Sequence, residues 1–240
     1  MKPDFSFYNF DVLSSTNDKA REFAKEGKSS LVVVAERQGS GRGRFGRKWS
    51  SSPGGLYMTI VLKDKDMGTI KYLTFIAAVS VAKAICKIAG LDAKVKWPND
   101  VLINHKKACG ILTETISRNG NYALVGIGLN VNQKKFPKSI MRNSTSLTME
   151  SNKNYDIKKI IKLIIKEFNN LYSYHNKGNY GKIKDVWKKY SHTLGKTVKA
   201  KTLSGNYTGK AVDVDDDCSL ILKLSNGDTK KIAEGDITVV

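Results

Sequence analysis

Cysteine is scarce in this 240-residue chain, and the three present, Cys86, Cys109 and Cys218, are odd in number, widely spaced and form no CxxC pair. That excludes a disulfide framework and a thiolate zinc site, and the three read as buried small apolar residues. Histidine is equally sparse: His105, His175 and His192 stand alone and match no HExxH spacing, which leaves metal hydrolysis and Ser-His-Asp chemistry without support. Long apolar runs are missing. The longest, residues 73–86, is broken by Thr74, Ser80 and Lys83 and falls short of the roughly 20 residues a bilayer span needs, so no membrane anchor is expected. The opening residues, MKPDFSFYNFDVLSS, carry no apolar segment behind their one lysine. They are no secretory signal, and a cytoplasmic location is the expectation.

Acidic side chains are in deficit, 22 against 41 basic, for a net charge of +19. Residues 191–240 balance seven lysines against seven acids, so the whole surplus, 34 basic against 15 acidic, precedes them. A surface of one sign recruits anions: nucleic acid, phosphorylated small molecules or acidic proteins. With 40% hydrophobic and 9% aromatic residues, the chain has material for a large core and reads as globular.

Residues 10–27 predict a short strand, a polar turn and a helix. Ser15 and Asp18 form a capping-box pattern there, and Gly27 marks the stop. Residues 31–35 and 55–62 are runs of buried-strand type, and residues 71–90 predict one long helix closed by Gly90. Three strands follow, around 93–97, 108–116 and 122–130. The stripe Ile157, Ile160, Ile161, Ile164, Ile165, Phe168 predicts an amphipathic helix with Lys158, Lys159, Lys162 and Lys166 as its solvated face. A further helix is expected near 182–190. After Leu194 the pattern turns to short β runs with turn signals at Ser204-Gly205-Asn206, Asp215-Asp216-Asp217 and Asn226-Gly227, the signature of a small β-barrel. The expected organisation is an α/β unit over 1–190 and a β module over 191–240.

Residues 38–49, QGSGRGRFGRKW, hold four glycines and the cations Arg42, Arg44, Arg47 and Lys48, with Arg37 at the edge. Gly41, Gly43 and Gly46 fit GxGxxG, but the dinucleotide fingerprint needs a helix directly afterwards. SSSPGG and a strand follow instead, so that reading is rejected. Glycines let a backbone approach a ligand, and arginines offer forks for carboxylate or phosphate oxygens. Spacing alone leaves two readings open, a phosphate-bearing ligand and a basic nucleic-acid-binding arm.

Five segments in order, GRGRFGRKW (41–49), SPGGLYMTIVL (52–62), KWPND (96–100), KACGIL (107–112) and GIGLNVN (126–132), together resemble biotin protein ligase, and with the Ser15-Thr16-Asn17 turn and the terminal β module the likeness covers nearly the whole chain. The resemblance implies an α/β (α+β) catalytic domain related to class II aminoacyl-tRNA synthetases, with a C-terminal SH3-like β-barrel. It implies activation of biotin by MgATP to biotinyl-5′-AMP and transfer to one lysine of a biotin carboxyl carrier domain. Some relatives carry an N-terminal winged helix-turn-helix repressor; this chain starts at the catalytic region, so no DNA repressor function is expected. A homodimer, no membrane partner and Mg²⁺ belong to the same expectation. Related lipoate and octanoate ligases share the broad fold, but GRGRFGRKW and KWPND favour biotin.

Residue by residue, the resemblance gives catalytic roles to Lys107, Arg42 and Arg44, which would offset the charge of a carboxylate meeting a triphosphate. It gives biotin contacts to Ser15, Thr16, Asn17, Gln38, Arg42, Gly43, Arg44 and Lys107. ATP or adenylate contacts fall to Arg44, Arg47, Trp49, Lys96 and Asn130. Asn99 and Asp100 offer hard oxygen ligands suited to Mg²⁺. The glycine-arginine loop is expected to order over the adenylate and exclude water.

Overall fold

The computed structural model describes residues 3–63, 67–117 and 120–240. Its first sheet has seven strands: β1 (Ser6–Leu13), β2 (Leu31–Gln38), β3 (Leu56–Lys63), β4 (Ala93–Lys96), β5 (Asp100–Ile103), β6 (Lys106–Ser117) and β7 (Asn121–Leu129), in the order β1-β2-β3-β7-β6-β5-β4. Only β1 and β2 run parallel; the other neighbours are antiparallel.

The two faces of this sheet are covered differently. Helix α1 (Thr16–Lys25) lies on one, where Ala20, Phe23 and Ala24 meet Leu31, Val33, Val61, Ile116, Tyr122 and Leu124. Helix α2 (Lys71–Ala89) lies on the other, backed by α4 (Ile157–His175) and α5 (Tyr180–Tyr190). By length and composition α2 would cross a bilayer, but 67% of it is buried inside the molecule, so its apolar character serves the core. It ends at Gly90, whose left-handed φ of 67° fits a residue without a Cβ.

Several elements differ from the sequence reading. The strand expected around 93–97 is β4, but a further strand, β5, follows it: a turn at Trp97-Pro98-Asn99 separates the two, and the Trp97–Pro98 peptide is cis. Helix α4 continues to His175, since Leu171 and Tyr172 extend its apolar stripe. A short helix, α3 (Leu147–Ser151), is capped by Ser146, whose side chain accepts from Met149 N. The capping box at α1 is only half formed. Ser15 caps the helix by accepting from Asn17 N at 3.2 Å, whereas the Asp18 carboxylate binds Arg42.

The C-terminal strands β8 (Thr197–Thr202), β9 (Gly205–Val214), β10 (Leu220–Leu224), β11 (Thr229–Ile232) and β12 (Asp236–Val239) make an antiparallel sheet in the order β11-β10-β9-β8-β12. Among the described residues no ladder joins β11 to β12. Trp97 anchors this sheet to the first: its Nε1 donates to Cys218 O at 2.9 Å and its backbone N to Thr193 Oγ1 at 3.0 Å. Tyr72 of α2 adds a hydrogen bond to Asp216 O at 2.7 Å.

Candidate functional site

On the α1 face, the alternate residues of β7 read Tyr122, Leu124, Gly126, Gly128. The first two belong to the α1 core. The glycines then leave the sheet bare, and a cavity of about 250 Å³ occupies that space. Gly128 pairs across the ladder with Gly110 of β6. A Cβ at Gly128 would stand 2.5 Å from Trp49 Nε1, and one at Gly110 3.0 Å from the same ring. The glycine pair is therefore the seat of the Trp49 indole. A Cβ at Gly126 would collide with the Asn17 amide.

One end of the cavity is neutral and rich in hydrogen-bonding groups. The start of α1 brings Ser15, Thr16 and Asn17 into the lining, and the end of β2 brings Gln38. Gln38 Oε1 accepts from Thr16 N at 2.8 Å and from Thr16 Oγ1 at 3.1 Å, while its Nε2 donates to Ser51 Oγ at 2.8 Å. Buried Thr59 sits behind them, 2.8 Å from Thr16 Oγ1 and 2.6 Å from Asn17 Oδ1. Buried polar groups so interlocked hold one geometry.

Arg44, Arg47 and Lys107 make the rest of the lining cationic, and Arg42 stands at the junction, its Nη2 3.6 Å from the Glu114 oxygen that Asn17 binds. The glycine-arginine loop folds as a tight hairpin. Arg42 and Lys48 form an antiparallel bridge, Gly43 N donates to Arg47 O at 2.7 Å, and residues 44–46 make a 3-10 turn with Phe45 at φ 56°. Gly43 lines the cavity with its neighbours. Arg42 is chelated by Asp18, with N···O distances of 2.8 and 2.7 Å, and that hydrogen-bonded pair raises its pKa. Burial pushes the Arg44 guanidinium down from its usual value, against the pull of Asp236 and Glu234. Arg44 Nη1 donates to Gly235 O at 3.3 Å, and Arg47 grips the Asp236 carboxylate. That bond holds Asp236 below the usual carboxylate range. The second sheet thus reaches the rim of the site.

Lys107, at the start of β6, has its Nζ 2.6 Å from Asp100 Oδ1 and 5.4 Å from the centre of the Trp49 ring. Asn99 and Asp100 line the wall beside it, and Asn99 Nδ2 donates to Ile111 O at 2.7 Å, which turns its Oδ1 away from that carbonyl. Asn130 also lines the cavity, its Nδ2 donating to Thr145 O at 2.9 Å.

The fold therefore gathers every nominated side chain but one. Lys96 lies outside the lining, near enough to Asp236 and His192 to act on their charges. Sequence reasoning missed Phe136, Ile140, Thr59 and Asp236. The first two are apolar lining residues from the segment after β7. Asp236 lies 187 residues beyond Trp49 and gave no local signal. The switch from Tyr122 and Leu124 to Gly126 and Gly128 on one strand face was the readable trace of the cavity.

A cavity that sets polar neutral groups at one end and three cations at the other, with Arg42 between them, suits a ligand carrying a carboxylate beside a nucleotide, the class of acyl-activating ligases. Residues 9–132 match the Biotin/lipoate A/B protein ligase family, and residues 193–240 match the Biotin protein ligase C terminal domain. The bifunctional ligase/repressor BirA of Bacillus subtilis (strain 168) is 38% identical over 234 residues, covering 95% of this chain and 72% of that protein. The biotin--[acetyl-CoA-carboxylase] ligase of Paracoccus denitrificans is 29% identical over 217 residues, 87% of this chain and 90% of its own. Among solved structures, the biotin protein ligase from Aquifex aeolicus in complex with biotin and ATP superposes with a TM-score of 0.87 at 29% identity, covering 98% of both chains. The chain belongs to the biotin/lipoate A/B protein ligase family.

Proposed function

We propose that this protein joins biotin to AMP at the expense of ATP and then passes the biotinyl group to one lysine of a biotin carboxyl carrier domain. The observation that carries the reading is the polarity of the cavity, neutral at Thr16, Asn17 and Gln38 and cationic at Arg44, Arg47 and Lys107, with Arg42 between them. The ureido ring of biotin is neutral and both donates and accepts hydrogen bonds, matching the first end; its carboxylate and the triphosphate match the second.

In the first step a biotin carboxylate oxygen attacks the α-phosphorus, and the bond to pyrophosphate breaks. Lys107 and the loop arginines are preorganised cations that offset anion repulsion and the charge gathering at phosphorus. Trp49, seated over Gly110 and Gly128, walls the adenylate end, and Asn130 borders it. In the second step the acceptor amine attacks the acyl carbon, an amide forms and AMP leaves. The hairpin, with Phe136 and Ile140 as apolar members of the lining, screens the mixed anhydride from water. Asn99 and Asp100 would hold Mg²⁺, which supplies charge neutralisation for the triphosphate. They fit that ion as a carboxylate beside an amide oxygen on the cavity wall. No group of three His, Cys, Asp or Glu gathers among the described residues, and substrate phosphates usually complete such a shell.

The reading includes a cytoplasmic location and a homodimer. The exposed apolar residues Phe7 and Val12 on edge strand β1 support a paired sheet, which sedimentation velocity reads directly.

Mass spectrometry of a carrier domain incubated with the protein, ATP and biotin is expected to show one added biotinyl group, and lipoate in place of biotin none. Lys107→Ala should fold normally and lose roughly 3–4 kcal/mol of transition-state stabilisation, as expected for one preorganised electrostatic contact. Pyrophosphate release at the wild-type rate by that variant would remove Lys107 from the chemistry.

A further inference from the structure

Strand β6 alternates Gly110, Leu112, Glu114 and Ile116 on the α1 face. Gly110 and Leu112 line the cavity, and Ile116 belongs to the α1 core. Glu114 falls between the two, a half-buried carboxylate outside the lining. Both its oxygens are engaged. Oε1 lies 3.0 Å from Arg21 Nη2, which fixes the carboxylate plane; Oε2 accepts from Asn17 Nδ2 at 2.7 Å and lies 3.6 Å from Arg42 Nη2. Asn17 and Arg21 are one turn apart on α1, so they face the same strand.

The consequence for Asn17 is a defined polarity. Its Nδ2 lies between the Glu114 carboxylate and Leu112 O, 3.4 Å away, and both are acceptors only. The amide must therefore point its NH₂ at β6 and its oxygen at Thr59 and the space kept open by Gly126. The same Glu114 oxygen attracts Arg42, which Asp18 holds from the other side. One carboxylate thus touches the neutral end of the cavity and the root of the arginine hairpin.

We infer that Glu114 is a positioning residue that presents Asn17 as a hydrogen-bond acceptor to the N–H groups of the ureido ring and tethers Arg42 beside it, so that occupancy of the neutral end is coupled to closure of the hairpin. The inference rests on the biotin reading above and adds to it the group that links binding to closure.

The test uses the full chain. Glu114→Gln keeps an oxygen acceptor for Asn17 but removes the charge facing Arg42; Glu114→Ala removes both. Biotin KM in the pyrophosphate-release assay should rise about tenfold in Glu114→Ala, the scale of one charge-assisted hydrogen bond, with kcat changed much less. In Glu114→Gln it should stay within about threefold. Asn17→Ala combined with Glu114→Ala should cost less biotin affinity than the sum of the two single losses, because the two side chains act through one hydrogen bond. Hydrogen exchange over residues 39–48 should slow on adding biotin to the wild type and respond far less in Glu114→Gln. Additive losses in the double variant, or biotin-induced protection in Glu114→Gln equal to wild type, would overturn the inference while leaving the ligase reading intact. Failure of the wild type to bind biotin would overturn both.

Discussion

At the scale of single residues, the site is made as much by atoms that are missing as by those present. Gly126 and Gly128 occupy strand positions where the same face one turn of the pleat earlier carries Leu124 and Tyr122. Gly128→Ala would drive a methyl to 2.5 Å from Trp49 Nε1, and an indole ring cannot yield as a flexible chain end does. Overpacking of this kind costs about 1–3 kcal/mol. The expected outcome is a modest fall in Tm together with a larger rise in KM for ATP than for biotin; Gly126→Ala, which presses on Asn17, should reverse that order. Equal effects on both substrates in both variants would contradict the division of the cavity into two ends. The GIGLN segment was legible in the sequence as a motif, yet the reason for its glycines was not. That reason lies in the register opposing Gly128 to Gly110 and in a tryptophan from a distant loop, and neither leaves a mark on the local sequence.

At the scale of elements, what could be read ahead of the structure was periodic. The apolar stripe of α4, the buried run of β3 and the stop at Gly90 follow from side-chain spacing and backbone conformation. Strand β5 was hidden because its four residues follow a proline turn and open on Asp100. The glycine-arginine loop was legible in composition but not in its partners: Asp18, Glu114, Gly235 and Asp236 come from three elements far apart in the chain. If the hairpin covers the intermediate, as proposed, those partners are its attachment points. Arg44→Gly cuts the one to Gly235 and loosens the cover without touching Lys107. Adenylate synthesis should continue at a reduced rate while activated biotin escapes and labels bystander lysines of an added carrier-free protein. Labelling confined to the authentic acceptor would show that the hairpin does not retain the intermediate.

At the scale of the whole molecule, both sheets share one hydrophobic cluster, in which Val198, Ala211, Leu220 and Ile237 are contiguous with Trp97, Phe75 and Trp187. The junction carries an acid-sensitive group. His192 donates its backbone N–H to Val95 O, and its ring faces Lys196 Nζ at 3.1 Å, the His105 ring at 5.0 Å and Lys96. Burial and then these cations push its pKa down to about 4 from 6.5. Protonation therefore favours the unfolded chain: the contribution is complete above pH 6.5 and fades as pH falls toward 4. Tm should drop through that window in the wild type and much less in His192→Gln; parallel curves would rule the group out. The same junction bears on the surplus charge. Lys184, Lys188 and Arg47 are paired with Asp216, Asp213 and Asp236 of the C-terminal part, so acids of that balanced part neutralise cations of the first 190 residues at the junction. The remaining surplus lies on the catalytic part. If it serves to steer an acidic carrier, it acts chiefly on association rate, and salt that shortens the Debye length from about 10 Å at 0.1 M to about 3 Å at 1 M should weaken it. If, as proposed, adenylate synthesis draws on the cations inside the cavity, screening there is weaker. Biotinyl transfer should therefore slow more steeply with added salt than pyrophosphate release does. Equal salt slopes for the two half-reactions would assign the charge to ATP binding, and tight duplex DNA binding at physiological salt with several counterions released would assign it to nucleic acid.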